Sequence, residues 1–174
     1  MGPGQAGAGD RAFILMDWTK IFFWRQARPL KPALPRKQSG QAKKILLADD
    51  SVTIHKVVRL TLEDGDYEVE TVDNGDDAVR RAKELRPDII LADALMPGKN
   101  GYEVCAAIKA DPGLRQVPVV ILAGNFEGYD ERKGAQCGAA GHIVKPFESS
   151  DFLNKVEEIL ARAAAPPARK EQGP

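Results

Sequence analysis

The chain is 174 residues long, 29% charged, with 25 Lys/Arg balancing 25 Asp/Glu and only two cysteines. That length holds one domain of ordinary size plus an extension. Two cysteines exclude a disulfide framework, and no apolar run approaches the ~18 residues of a membrane span.

The zero net charge hides an asymmetry. Residues 1–43 carry eight basic residues (Arg11, Lys20, Arg25, Arg28, Lys31, Arg36, Lys37, Lys43) against Asp10 and Asp17, a net of +6, so residues 44–174 carry −6. An acidic globule with a basic arm bears on solubility and partners, not on fold. The dispersed charges form no recognition motif and make a weak nucleic-acid signature. The N-terminus has neither a basic n-region nor a small-residue cleavage site, so the expected location is the cytoplasm. Cys105 and Cys137 fall in helix-like stretches and are expected to be reduced and at least half-buried.

Residues 1–42 are expected to be a non-globular extension. Residues 1–12 are rich in Gly and Ala. Phe13 to Trp24 is dense in large apolar residues, and Ile14, Trp18, Ile21 and Phe22 share one helical stripe, with Arg25 intruding on it. A helix over 13–25 would suit docking to a partner groove or an anionic membrane surface. Two alternatives stand beside it: a segment folded back on the globule, and a true start at Met16 rather than Met1. Pro29, Pro32 and Pro35 recur every third residue within 28–37, as in a polyproline spacer.

From Lys44 the pattern alternates between strand and helix. Lys44–Ala48 is a short apolar run. Ser51–Glu63 sets Ile54, Val57, Val58 and Leu62 at helical spacing behind Ser51 as N-cap. Tyr67–Val72 reads as strand two, and Asp76–Leu85 as helix two, ended by Arg86-Pro87. Asp88–Ala92 is strand three, Gly101–Ala110 helix three and Val117–Leu122 strand four. Helix four is assigned to Glu127–Cys137 despite Gly128 and Gly134. Ile143–Val144 belongs to strand five, and Asp151–Ala163 is helix five with Phe152, Val156, Ile159 and Leu160 on one face. Residues 163–174 read as a polar tail. Five β/α pairs with continuous apolar strands predict a three-layer (βα)5 fold with a parallel sheet covered on both faces. With strand order 2-1-3-4-5, right-handed crossovers put helices one and five on one face and two, three and four on the other.

The chemistry sits at strand ends. Asp49-Asp50 follows strand one, Asp93 follows strand three, and Lys145-Pro146 follows strand five. Carboxyl ends of neighbouring parallel strands converge on one crevice. Adjacent carboxylates repel unless a cation neutralises them, and an all-oxygen set suits magnesium. An Asp accepting a phosphoryl group needs the incoming oxygens neutralised, which a metal and Lys145 can do. A cis Lys145-Pro146 bond is admissible there. Any one of these islands alone fits an N-cap or a surface residue; all together, at strand ends, favour a site.

The segments LLADDS, DIILADALMPGKNGYEV, VPVVIL and GAAGHIVKPF closely resemble the receiver domain of bacterial two-component response regulators, over roughly residues 43–162. The resemblance implies a flavodoxin-like fold and Asp93 as phosphoacceptor. It implies Asp49, Asp50, Asp93 and the Leu95 carbonyl as magnesium ligands, and Lys145 as the phosphoryl contact. Upstream it implies a sensor histidine kinase or phosphotransfer protein, and downstream a protein target. No DNA-binding domain is expected after helix five, and no enzymatic role beyond self-phosphorylation and self-dephosphorylation. His142 falls at the family's aromatic switch position, or is simply a half-buried strand residue. The chain departs from the family at Ala123, where Thr or Ser is usual; Asn125 could donate from the same loop, and Ser51 is near. Weakened coupling of phosphorylation to the helix four–strand five surface is therefore expected. Leu95 offers no help to a water attacking an acyl phosphate, so self-hydrolysis is expected to be slow. A pseudo-receiver scaffold read without phosphate is the alternative. An aspartate-nucleophile phosphohydrolase would need an Asp where Leu95 stands.

Overall fold

A computed structural model describes residues 42–126 and 128–165. The helix expected over 13–25, the spacer at 28–37 and most of the 163–174 tail lie outside the described residues. Among the described residues no helix is long and apolar enough to cross a membrane.

Five strands alternate with five helices: β1 (Lys43–Ala48), α1 (Val52–Leu62), β2 (Tyr67–Val72), α2 (Gly75–Leu85), β3 (Ile89–Asp93), α3 (Gly101–Ala110), β4 (Val119–Gly124), α4 (Glu131–Cys137), β5 (Gly141–Lys145) and α5 (Ser149–Ala164). The sheet is parallel throughout, in the order β2-β1-β3-β4-β5. The expected architecture and order are both present.

Strand periodicity divides the core into two layers. Ile45 and Leu47 point to one face with Ile89, Leu91, Val120 and Leu122, where α1 and α5 add Val58, Leu62, Phe152, Val156 and Ile159. Leu46 and Ala48 point to the other face with Ile90, Ala92, Ile121 and Ala123, where α2, α3 and α4 add Ala78, Ala82, Val104, Ile108 and Cys137. The helices thus lie on the faces that right-handed crossovers require. Both strand faces are buried, so β1, β3 and β4 read as unbroken apolar runs. Each large aliphatic side chain buried there contributes roughly 1.5–3 kcal/mol. Cys105 and Cys137 are free and buried, with the Cys105 thiol donating to the Cys137 carbonyl at 3.2 Å. Burial, then the neighbouring Cys137, pushes the Cys105 thiol up to about 12.

Several boundaries differ from expectation for local reasons. α4 begins at Glu131 rather than Glu127, because Gly128 has φ +67°, incompatible with a right-handed helix. Asp130 starts the helix instead, its carboxylate accepting from the Lys133 amide at 3.0 Å. β4 begins at Val119 rather than Val117, whose amide closes a turn onto the Leu114 carbonyl at 2.8 Å. α2 begins at Gly75 behind Asn74, which accepts from the Asp77 amide. β3 runs on to Asp93, which pairs with Leu122. β5 extends from Gly141 to Lys145 because five successive residues pair with β4. α5 starts at Ser149 without a side-chain cap.

Candidate functional site

The register sets the site. Ala48 of β1 pairs with Ala92 of β3, Asp93 pairs with Leu122 of β4, and Gly124 of β4 pairs with Lys145 of β5. Asp49, Asp93 and Lys145 therefore emerge at one edge of the sheet. Carboxylate oxygens of Asp49, Asp50 and Asp93 all lie within 4.8 Å of one another. The Lys145 ammonium sits between two of them, 3.0 Å from Asp49 Oδ2 and 2.9 Å from Asp93 Oδ1. The Lys145-Pro146 peptide is cis.

Asp49 is fully buried and held at every polar atom. Its amide donates to the Val72 carbonyl at 3.1 Å. Its Oδ1 accepts from the Ser51 amide at 2.8 Å, and its Oδ2 takes Lys145. Its carbonyl lies 2.6 Å from His55 Nε2; a carbonyl only accepts, so that ring nitrogen carries the hydrogen. Asp50, next along the chain, is exposed.

Asp93 is 6% exposed. Burial raises its carboxyl above the ordinary carboxylate range, and repulsion from Asp49 adds to this against the opposing pull of Lys145. Burial works to lower Lys145, but its bonds to Asp93 and Asp49 prevail and hold it above its usual value, so it stays charged. Three carboxylates against one ammonium leave the cluster with a negative excess. An all-oxygen, anionic donor set of this kind fits a hard divalent cation.

The remaining expected residues sit around this centre. Leu95 lies two residues past Asp93, its side chain 56% exposed. Ala123 is fully buried on β4, one step beyond the partner of Asp93, and carries no hydroxyl. Asn125 is exposed in the following loop, and the Ser51 hydroxyl accepts from the Ile54 amide at 3.4 Å. His142 is exposed, not half-buried. Its ring stacks on Tyr129, centroids 4.0 Å apart and planes inclined by 11°. Tyr129 in turn lies 6.2 Å from Tyr102.

Sequence reasoning missed His55 and Tyr129. His55 lies one turn into α1, where a first-turn side chain can reach back to the preceding loop; that spacing was its only signal. Tyr129 stands between Gly128 and the cap residue Asp130, and its contacts come from β5 and α3, distant in sequence.

Five parallel strands in this order, with an acidic cluster and a lysine at their carboxyl edge, define a flavodoxin-like fold. The response regulator receiver domain family matches residues 45–157, and the chain belongs to that family of two-component signalling domains. The transcriptional regulatory protein ResD of Bacillus subtilis (strain 168) is 34% identical over 121 residues, covering 70% of this chain and 49% of ResD. The DNA-binding response regulator MtrA of Mycobacterium leprae is 32% identical over 125 residues, covering 72% of this chain and 54% of MtrA. The chain thus spans about half the length of the curated relatives it matches. Among solved structures, chemotaxis response regulator CheY4 of Vibrio cholerae is similar at TM-score 0.64 and 31% identity, covering 68% of this chain and 99% of that one. The receiver domain of sensor histidine kinase PA1611 from Pseudomonas aeruginosa PAO1, with a magnesium ion coordinated in its active-site cleft, is similar at TM-score 0.63 and 29% identity, covering 69% of this chain and 98% of that one.

Proposed function

We propose that this chain is a phosphorylation-controlled interaction module of the cytoplasm. Asp93 accepts a phosphoryl group from a sensor histidine kinase or phosphotransfer protein, and the modified domain engages a downstream protein. The observation that carries this reading is Asp93 itself: buried at a strand end, 2.9 Å from the Lys145 ammonium, with two further carboxylates beside it. A carboxylate oxygen of Asp93 bonds to phosphorus as the donor's phosphorus–nitrogen bond breaks. The electron pair leaves on the histidine nitrogen, which takes up a proton. Lys145 is placed to follow the charge onto the phosphoryl oxygens. Asp49, Asp50, Asp93 and the Leu95 carbonyl would hold magnesium, which when bound neutralises charge on the phosphoryl oxygens.

Ala123 sets this chain's response apart. Without a β4 hydroxyl, one charge-assisted hydrogen bond to the phosphoryl group is lost, worth about 1.5–3 kcal/mol. A two-state switch is only a few kcal/mol deep, so acceptance persists while coupling to α4 and β5 weakens. Leu95 activates no water, so the acyl phosphate is long-lived.

Intact-mass analysis after acetyl phosphate with magnesium tests the reading. The wild type should gain one phosphoryl group and Asp93→Asn none; an unmodified wild type would leave only an interaction scaffold. Ala123→Thr should enlarge the phosphorylation-dependent change in amide exchange over α4 and β5, and equal changes in both proteins would overturn the account of Ala123. Phosphate released within seconds of the pulse would do the same for Leu95.

A further inference from the structure

We infer that His55 is a positioning residue for the cation site, an inference that rests on the acidic cluster acting as that site. Asp49 and Asp50 are joined by one peptide unit, and its carbonyl is the acceptor of His55 Nε2 at 2.6 Å. His55 also donates its backbone amide to the Ser51 carbonyl at 3.1 Å. One residue therefore ties the first turn of α1 to the acidic loop through both main chain and side chain.

The other bonds in the loop end on the amide or the carboxylate of Asp49, and the one from Ser51 closes a turn across Asp50. Val72 holds its amide, and Ser51 and Lys145 hold its two carboxylate oxygens. None of these holds the carbonyl of the Asp49–Asp50 peptide. The plane of that peptide helps set the direction in which Asp50 leaves, and the ring of His55 grips the plane at its oxygen. Asp50 is exposed, so it must be aimed from its backbone if its carboxylate is to stay beside those of Asp49 and Asp93. Two adjacent carboxylates favour turning apart. A donor on the intervening carbonyl opposes this without adding a ligand of its own, as outer contacts do for metal-bound residues. The aim is thus set by the protein's own contacts.

The test compares His55→Leu and His55→Met, which lack a donor, with His55→Gln, which keeps one. Magnesium alone is titrated calorimetrically into each full-length protein at 25 °C, with thermal melts in EDTA as the folding control. The donor-free variants should bind magnesium about 5-fold more weakly, the ratio one ordinary hydrogen bond sets. His55→Gln should stay within about twofold of wild type. Acetyl phosphate labelling should need correspondingly more magnesium in the donor-free variants and reach the same plateau rate. A merely structural histidine would lower the melting temperature and leave the magnesium affinity of the folded protein untouched; that result overturns the inference, as does His55→Gln binding no better than His55→Leu. Magnesium binding by a wild type that never gains a phosphoryl group overturns the phosphoacceptor reading while the titration still judges His55. A wild type that binds no magnesium overturns both.

Discussion

Asp93 is nearly buried and stands beside a second carboxylate, so the cation-free fold holds its proton more tightly than the unfolded chain does. The sign follows from linkage. A carboxyl raised by folding contributes its full stability below the unfolded value near ~4, and that contribution is lost as pH rises through the folded value. At neutral pH the charged Asp93 is therefore a burden on the empty fold, and Asn, of similar shape and no charge, removes it. Asp93→Asn in EDTA at pH 7 should melt a few degrees higher, the shift that about 1 kcal/mol gives a domain of this size. The gap should narrow as pH falls toward 4, and magnesium should raise the wild type more than the variant. A variant that melts lower at pH 7 would count against burial and repulsion as burdens on the charged Asp93. At this scale the sequence was readable where a side chain ends an apolar run: Asp49, Asp50, Asp93 and Lys145 all do, and the structure brings all four together. His55 was hard to read because its partner is a main-chain oxygen, which leaves only its spacing from Asp49 as a trace in the letters.

The element least legible from sequence was α4, seven residues with Gly134 inside. Its two nearby glycines look alike in sequence and do different things. Gly128 supplies a positive φ and ends the loop before the helix. Gly134 makes room: a Cβ there would overlap the Tyr129 hydroxyl and ring edge. In an isolated helix Ala would gain about 1 kcal/mol over Gly. Here the overlap, typically costing 1–3 kcal/mol in a packed site, should win. Gly134→Ala is therefore expected to destabilise by about 1 kcal/mol and to pull Tyr129 off His142. Adding Gly134→Ala to Tyr129→Ala should instead stabilise, because the obstacle is gone. Urea melts of the four proteins complete the cycle; a stabilising Gly134→Ala in the presence of Tyr129 would refute the steric account. The longer helices were legible because their apolar faces repeat: Val58 and Leu62 of α1, and Phe152, Val156 and Ile159 of α5, are all buried as spaced. α4 has no such face, and its start was misplaced by four residues.

At the scale of the molecule, the buried residues of the two apolar layers run, among the described residues, from Ile45 to Ile159. The family match, 45–157, covers nearly the same span. Every strand has its neighbours within this stretch, and the charged cluster is closed by residues from Asp49 to Lys145. The sheet's two edges differ: β2 carries Glu68 and Glu70, charges that discourage edge pairing, while β5 carries the stacked His142. Because the whole matched family span lies inside it, a fragment of residues 42–165 should fold cooperatively, melt within about 2 °C of the full chain and bind magnesium with the same affinity. Calorimetry on both proteins at matched ionic strength decides this. A fragment that melts markedly lower would mean that the N-terminal residues supply part of the stability, and a fragment equally stable but weaker for magnesium would place their influence on the acidic loop instead.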